Sequence, residues 1–423
     1  MRRSSLVLLF MIAACSHTPA RQASEPTPSA DTQAFRIEQP LPAQRHEFVG
    51  PVPSKQILPN GLTVMVIEKH ELPLVAVQVV VRSGASSDVK GHEGVAQMTA
   101  NMLQWGTVKR TAAQIDEAIE ILGTTIQTSA DLDATQAFVQ VLRDNLPQAF
   151  DVLADVVQNP AFPADELERV RTQMRTTLLQ ERDVPSRLAS RALFQTLYGD
   201  HPYGRTAAVT PELINKIKRD DLKVFHAQHF RPDNTAVILI GDIKAEDAAA
   251  LVAQRFGGWK SGATSCEAKS KKTKLPWVCG ALPVASAVTP RKPNIILVPR
   301  AGAAQAQILA GHVSVPRASP DYFPLVLTNL VLGGQFNSRI NMNLREDKGY
   351  TYGASSGFYY GRGPGPFFVA TSTRPEVAAP AIHELVLEVR KIRESGVTEA
   401  ELGSAKSNYI ESLPGEFETS RAL

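Results

Sequence analysis

The chain states one pattern twice. Residues 163–180, PADELERVRTQMRTTLLQ, are matched by residues 398–414, TEAELGSAKSNYIESLP. Each run is followed by the same string, Ser190-Arg-Ala-Leu193 in the first case and Ser420-Arg-Ala-Leu423 in the second. Upstream of each lies a strand pattern followed by a helix pattern, at 137–157 and again at 366–392. The offset stays near ~230 residues throughout, and agreement of pattern, order and spacing marks a duplicated unit. A chain built this way must fold the same way twice, so each copy constrains the other.

The first copy begins near His46 and reads as alternating strands and helices. Residues 54–68 predict a hairpin, because Asn60-Gly61 sits between two apolar runs. Strands follow at 74–81, 137–142 and 235–241, and helices at 94–105, 112–122, 146–157, 163–181 and 242–256. The expected class is α+β, a duplicated domain in which each copy is a mostly antiparallel sheet with helices packed on one face. The boundaries are 46–262 for the first copy, 263–290 for a linker and 291–423 for the second. The first copy runs on from Leu193 to Trp259 with a further strand and helix, whereas the second stops at Leu423. An incomplete second sheet with an open edge is therefore expected. The short segment 361–366, GRGPGP, reads as a hairpin tip.

Composition narrows the function classes. With 43 % hydrophobic and 21 % charged residues, the chain is neither disordered throughout nor a coiled coil. The formal charge of +3 falls to +1 without Arg2 and Arg3, which leaves no electrostatic case for nucleic acid. Residues 1–14 read as a signal peptide: two arginines, then nine apolar or small residues from Leu6 to Ala14, too few to span a bilayer, which needs about 20. Ile12-Ala13-Ala14-Cys15 resembles a bacterial lipobox, which makes Cys15 the lipidated first mature residue; the bland alternative is a plain signal peptide with a bystander cysteine. Ser16 follows, where Asp would favour inner-membrane retention, so the expected address is the periplasm, anchored to the outer membrane. Residues 15–45 are a Pro-, Ala-, Ser- and Gln-rich tether with a reach of about 30 Å. In an oxidising compartment Cys266 and Cys279, both in the lysine-rich linker, are expected to pair, with a stabilisation of about 3 kcal/mol, against the alternative of two free thiols.

The chemistry turns on residues 93–107, EGVAQMTANMLQWGT. With LPNGL at 58–62 and the duplication, this segment resembles the pitrilysin/insulinase family of zinc peptidases, which includes the mitochondrial processing peptidases. The family frame, roughly G-x-A-H-x-x-E-H-M ending in G-T, is kept by Gly94, Ala96, Met102, Gly106 and Thr107. In that frame two histidines one helical turn apart hold Zn²⁺, and the intervening Glu activates the bound water. Here the three positions are Gln97, Ala100 and Asn101. The family's third ligand lies on the long helix near 163, where alignment places Met174. The resemblance therefore implies that no zinc is bound by this chain. His92-Glu93 is not a displaced version of the motif, since position 96 is Ala96. His226 and His229 in FHAQHF read as packing residues.

Residues 332–358, LGGQFNSRINMNLREDKGYTYGASSGF, resemble the family's second-domain signature, in which an Arg stands seven residues before a Tyr. These are Arg345 and Tyr352. The resemblance implies that they bind the substrate peptide at the scissile region, facing a zinc site across a chamber. A guanidinium and a phenol can both donate to a carbonyl or an oxyanion. The plain alternative is a surface ion pair of Arg345 with Glu346 or Asp347. The family divides labour between two chains, so the implied function is a non-catalytic subunit without peptidase activity of its own. Its partner is a related subunit with an intact H-x-x-E-H that carries the zinc. Unfolded peptides are the substrates, and the membrane is reached through the lipid anchor. The alternative is a lipid-anchored peptide-binding or scaffold protein.

Overall fold

The computed structural model describes residues 48–260 and 294–420. The readings for Cys15, the tether and the linker with Cys266 and Cys279 lie outside the described residues. Among those described, no helix is long and apolar enough to cross a membrane.

The first copy is built on a six-stranded sheet. The hairpin forms as its Asn-Gly turn dictates, with β1 (Ser54–Ile57) antiparallel to β2 (Thr63–Glu68). Gly61 at the turn has φ 91°, a conformation open to glycine. β3 (Leu74–Val81), β4 (Gln127–Ala130), β5 (Thr135–Leu142) and β6 (Thr235–Gly241) complete the order β1-β2-β6-β3-β5-β4. Only β2 and β6 run parallel. The alternation of β3 and β5 puts Val75, Val77, Val79, Ala137, Val139 and Val141 into the core. Against this layer pack α1 (Val95–Met102), α2 (Ala112–Glu120), α3 (Leu146–Gln158), α4 (Ala164–Glu181), α8 (Arg219–His229) and α9 (Ala245–Phe256). Three further helices, α5 (Pro185–Tyr198), α6 (Pro202–Thr206) and α7 (Pro211–Lys216), connect α4 to α8.

The second copy repeats the heart of the first. β7 (Ala306–Val313), β8 (Ala354–Phe358) and β9 (Pro366–Thr373) pair in the order β7-β9-β8, all antiparallel, as β3-β5-β4 do. The tip at 361–366 lies between β8 and β9 as expected. Helices α10 (Tyr322–Asn329), α11 (Ala378–Ser395) and α12 (Glu399–Glu416) follow the same sequence of layers, and Ile340, Leu344, Phe367, Val369 and Leu385 form a separate, smaller core. α12 opens on a capping box between Thr398 and Glu401, and Arg339 grips the Glu401 carboxylate at 2.6 Å through two nitrogens. That pair holds Glu401 down at about 2.

The two copies are tied together around Tyr203. Its buried hydroxyl donates to Asp133 (2.7 Å) and accepts from the Gly363 N–H (3.0 Å). The Arg362 N–H reaches the same Asp133 oxygen at 2.7 Å, the Arg362 guanidinium donates to the Arg82 carbonyl, and Tyr198 donates to the Pro364 carbonyl. A Cβ on Gly361 would lie 2.6 Å from the Tyr203 hydroxyl, so the GRGPGP tip needs its glycine to enter this joint. Burial pushes the Tyr198, Tyr203 and Tyr359 phenols well above their ordinary range, which keeps Tyr198 and Tyr203 protonated as donors.

Candidate functional site

α1 is set in place by Asp88. The buried carboxylate accepts from the Gly94 N–H (2.7 Å) and the Ala96 N–H (2.8 Å), capping donors that the helix cannot satisfy itself. Gly94 takes φ 101°, and a Cβ there would come within 2.7 Å of Ile214. The left-handed φ thus makes glycine the residue that lets the chain enter the helix here. At the far end, the Thr107 hydroxyl donates to Asp155 (2.7 Å), which also receives Arg110 at 2.6 Å.

On the helix so fixed, Gln97 and Asn101 lie one turn apart and spend their amides on each other, Nε2 to Oδ1 at 2.8 Å. Ala100 is fully buried. Met174, on the neighbouring α4, packs against the first core. Two mutually bonded amides, a methyl group and a thioether do not fit a Zn²⁺ ion, which takes imidazole, thiolate and carboxylate. Among the described residues no three His, Cys, Asp or Glu side chains come together as a metal site. Glu93 accepts from the Gly91 N–H and faces Arg205 at 3.5 Å. His226 bonds the Val157 carbonyl and stacks on Phe230, while His229 lies buried against Phe225.

Asp88 and His229 titrate in opposite senses. Burial pushes the Asp88 carboxyl up to about 7, against the pull of its two N–H partners. Burial, with Arg231 nearby, pushes the His229 imidazole down to about 3. Relative to the unfolded chain, the folded one holds an extra proton at Asp88 between pH 3.8 and about 7, so this group lowers stability as pH rises. It lacks a proton at His229 between about 3 and 6.5, so this group lowers stability as pH falls. The two slopes nearly cancel in the native chain. Asp88→Asn is expected to unmask stability that rises with pH between 4.5 and 6, and His229→Gln stability that falls, each by up to ~1.4 kcal/mol per pH unit. Urea midpoints at the two pH values check this; equal slopes in all three proteins would contradict it.

The second constellation lies at one end of the second sheet. Ile340 and Leu344, both fully buried, anchor the helical stretch 339–347. Gly349 (φ 61°) ends it, Tyr350 turns back onto the core, and Tyr352 stands 91 % exposed. The Thr371 hydroxyl, buried on β9, lies 3.0 Å from both the Thr351 hydroxyl and the Gly353 carbonyl, and Thr351 donates to that carbonyl at 2.8 Å, a cluster that pins the loop carrying Tyr352. Arg345 lies over the Phe336 ring at 4.6 Å and pairs with Glu346 at 3.2 Å. The ion pair of the plain alternative thus forms, yet Arg345 also lines an open cleft of about 460 Å3 together with Tyr352. Thr373 and Arg374 at the end of β9 and Gln305 before β7 also line it. These last residues escaped the sequence reading. The available cue was alternation: Phe367 and Val369 point inward on β9, so Thr371 and Thr373 are hydroxyls at core-facing positions.

The comparisons agree with this layout. A model described as Insulinase (Peptidase family M16) matches residues 63–210, and one described as Peptidase M16 inactive domain matches residues 216–409. A solved structure described as the peptidase M16 inactive domain from Pseudomonas fluorescens is 30 % identical, with a TM-score of 0.76 over 88 % of this chain and 85 % of that one. A Helicobacter pylori protein named as a non-peptidase homolog is 25 % identical over 359 residues, 83 % of this chain and 78 % of that protein. A Mycobacterium bovis protein described as an uncharacterized zinc protease is 27 % identical over 364 residues, 84 % of this chain and 78 % of that protein. Fold and site define a duplicated α+β protein of metallopeptidase architecture. The chain belongs to the insulinase/pitrilysin family, peptidase family M16.

Proposed function

We propose that this chain is the non-catalytic subunit of an insulinase-type zinc peptidase, and that it offers Arg345 and Tyr352 to the substrate of a partner that carries the zinc. One contrast carries the reading. Arg345 and Tyr352 share an open cleft, while the zinc-motif positions hold two amides bonded to each other, a buried methyl and a packed thioether. Unfolded peptides are the substrates. An extended peptide is added beside β4, one of the two edge strands of the first sheet and the one next to a second cleft of about 500 Å3. The site of action is the periplasm, with the chain held to the outer membrane through lipidated Cys15. Zinc resides in the partner, a related subunit with an intact H-x-x-E-H.

The test is purification from the native envelope, followed by zinc and peptidase assays. The isolated chain is expected to carry no stoichiometric zinc and no peptidase activity, and the mixed complex both. Stoichiometric zinc on the isolated chain would overturn the reading. Purification without any related partner would leave the peptide-binding or scaffold role in its place.

A further inference from the structure

We propose that the cleft at the end of the second sheet recognises a carboxylate of the peptide it binds, with Arg374 and Thr373 as the anchors. Three observations converge. First, two guanidinium groups, Arg345 and Arg374, line the same cleft. Arg345 is already paired, with Glu346 at 3.2 Å, whereas Arg374 has no side-chain partner among the described residues. A free guanidinium beside a concave surface is a planar fork matched to a carboxylate. Second, Thr373 is 1 % exposed and its Oγ1 has no hydrogen-bond partner, although the residue lines the cleft. A buried hydroxyl left unpaired in this way calls for an occupant that pairs with it. Third, the lining sums to a single positive charge, two arginines against Glu346. That balance suits a monoanion and weighs against a doubly charged phosphate.

The placement follows from the register. Ala306 pairs with Thr373 at the last rung of the β7–β9 ladder, so the strands open there, with Gln305 and Arg374 lining the cleft beyond it. The exposed Tyr352 stands on the loop at the same end. A peptide whose backbone met Arg345 and Tyr352 would therefore present a neighbouring side chain, or its own terminus, to Arg374. The inference rests on the reading above only in taking a peptide as the occupant.

The test is fluorescence anisotropy on the purified full chain without partner. Three labelled peptides of one sequence are compared: a central Glu with an amidated end, a central Gln with an amidated end, and a central Gln with a free C-terminal carboxylate. A carboxylate-bearing peptide is expected to bind at least ~10-fold more tightly than the amidated Gln peptide, the gain of one charge-assisted hydrogen bond. Whether the Glu or the free terminus confers the gain identifies the source of the carboxylate. Arg374→Gln should erase the gain while leaving the amidated Gln peptide unaffected. Arg374→Lys should restore part of it, and Thr373→Val should weaken it several-fold. Equal binding of the three peptides, no binding of any, or a gain that survives Arg374→Gln would overturn the proposal. Peptide discrimination without stimulation of a partner's peptidase would sink the subunit reading and leave this one standing.

Discussion

Arg345→Ala is expected to lower the turnover of the reconstituted two-chain peptidase by about 10²- to 10³-fold, the loss typical of removing one preorganised oxyanion donor. The guanidinium rests on the Phe336 ring and follows the buried Leu344, so its direction is set before substrate arrives. Donors already aimed need no reorganisation as charge develops on the attacked carbonyl. The loss should therefore fall on kcat more than on KM. Arg345→Lys is expected to recover little, since an ammonium lacks the planar fork. Tyr352→Phe should give a smaller loss, because its side chain is almost wholly exposed and its hydrogen bond competes with water. Neither side chain belongs to the core, so thermal stability serves as the control. Unchanged kcat/KM in Arg345→Ala would remove the assigned role.

Tyr203→Ala should be the most damaging single change to stability away from the two cores, about 3–5 kcal/mol for the lost ring alone. The deletion also strips Asp133 and the Gly363 N–H of a shared partner. Tyr203→Phe isolates that part and should cost about 1–3 kcal/mol. The two copies have separate cores, the second one smaller, and this joint is a main polar tie between them. In the native chain tryptophan fluorescence and far-ultraviolet circular dichroism should report one transition in urea. Of the three tryptophans, Trp105 and Trp259 lie in the first copy and Trp277 in the linker, so in a Trp277→Phe background the fluorescence transition of Tyr203→Ala should fall later than its dichroism transition. Coincident, unshifted transitions in that variant would show that the joint contributes nothing.

The legibility of the chain followed the strength of local signals. Asn60-Gly61 between apolar runs specified β1 and β2, and the valine-rich run 74–81 specified β3. β4 escaped because QTSA offers four polar or small residues and takes its strand form from pairing with β5. β8, ASSGF, is implied as the strand before the 361–366 tip, but its small and polar residues leave its bounds to be set by pairing with β9. α8 buries Asp221, Gln228 and His229 alongside its apolar residues, which blurs its period. Of the site, Arg345 and Tyr352 could be found because they share one local signature. Alternation marks Thr373 only as a core-facing hydroxyl, and nothing local marks Arg374; pairing of β9 with β7 and β8 is what brings both to the cleft. Tyr203 and Asp133 meet Gly363 only once both copies are folded, which no local pattern encodes.

β6 has a consequence for how the chain is made. It enters the first sheet between β2 and β3, although it follows β2 by roughly 170 residues, a stretch that takes on the order of 10–30 s to synthesise. Until then the β1–β2 hairpin and the β3-β5-β4 sheet are two fragments with facing, unpaired edges, one of them the valine-rich β3. Pairing across such a sequence distance is slow, and the waiting edges invite intermolecular strand exchange. Refolding yield is therefore expected to fall as chain concentration rises, because exchange at these edges competes with the arrival of β6.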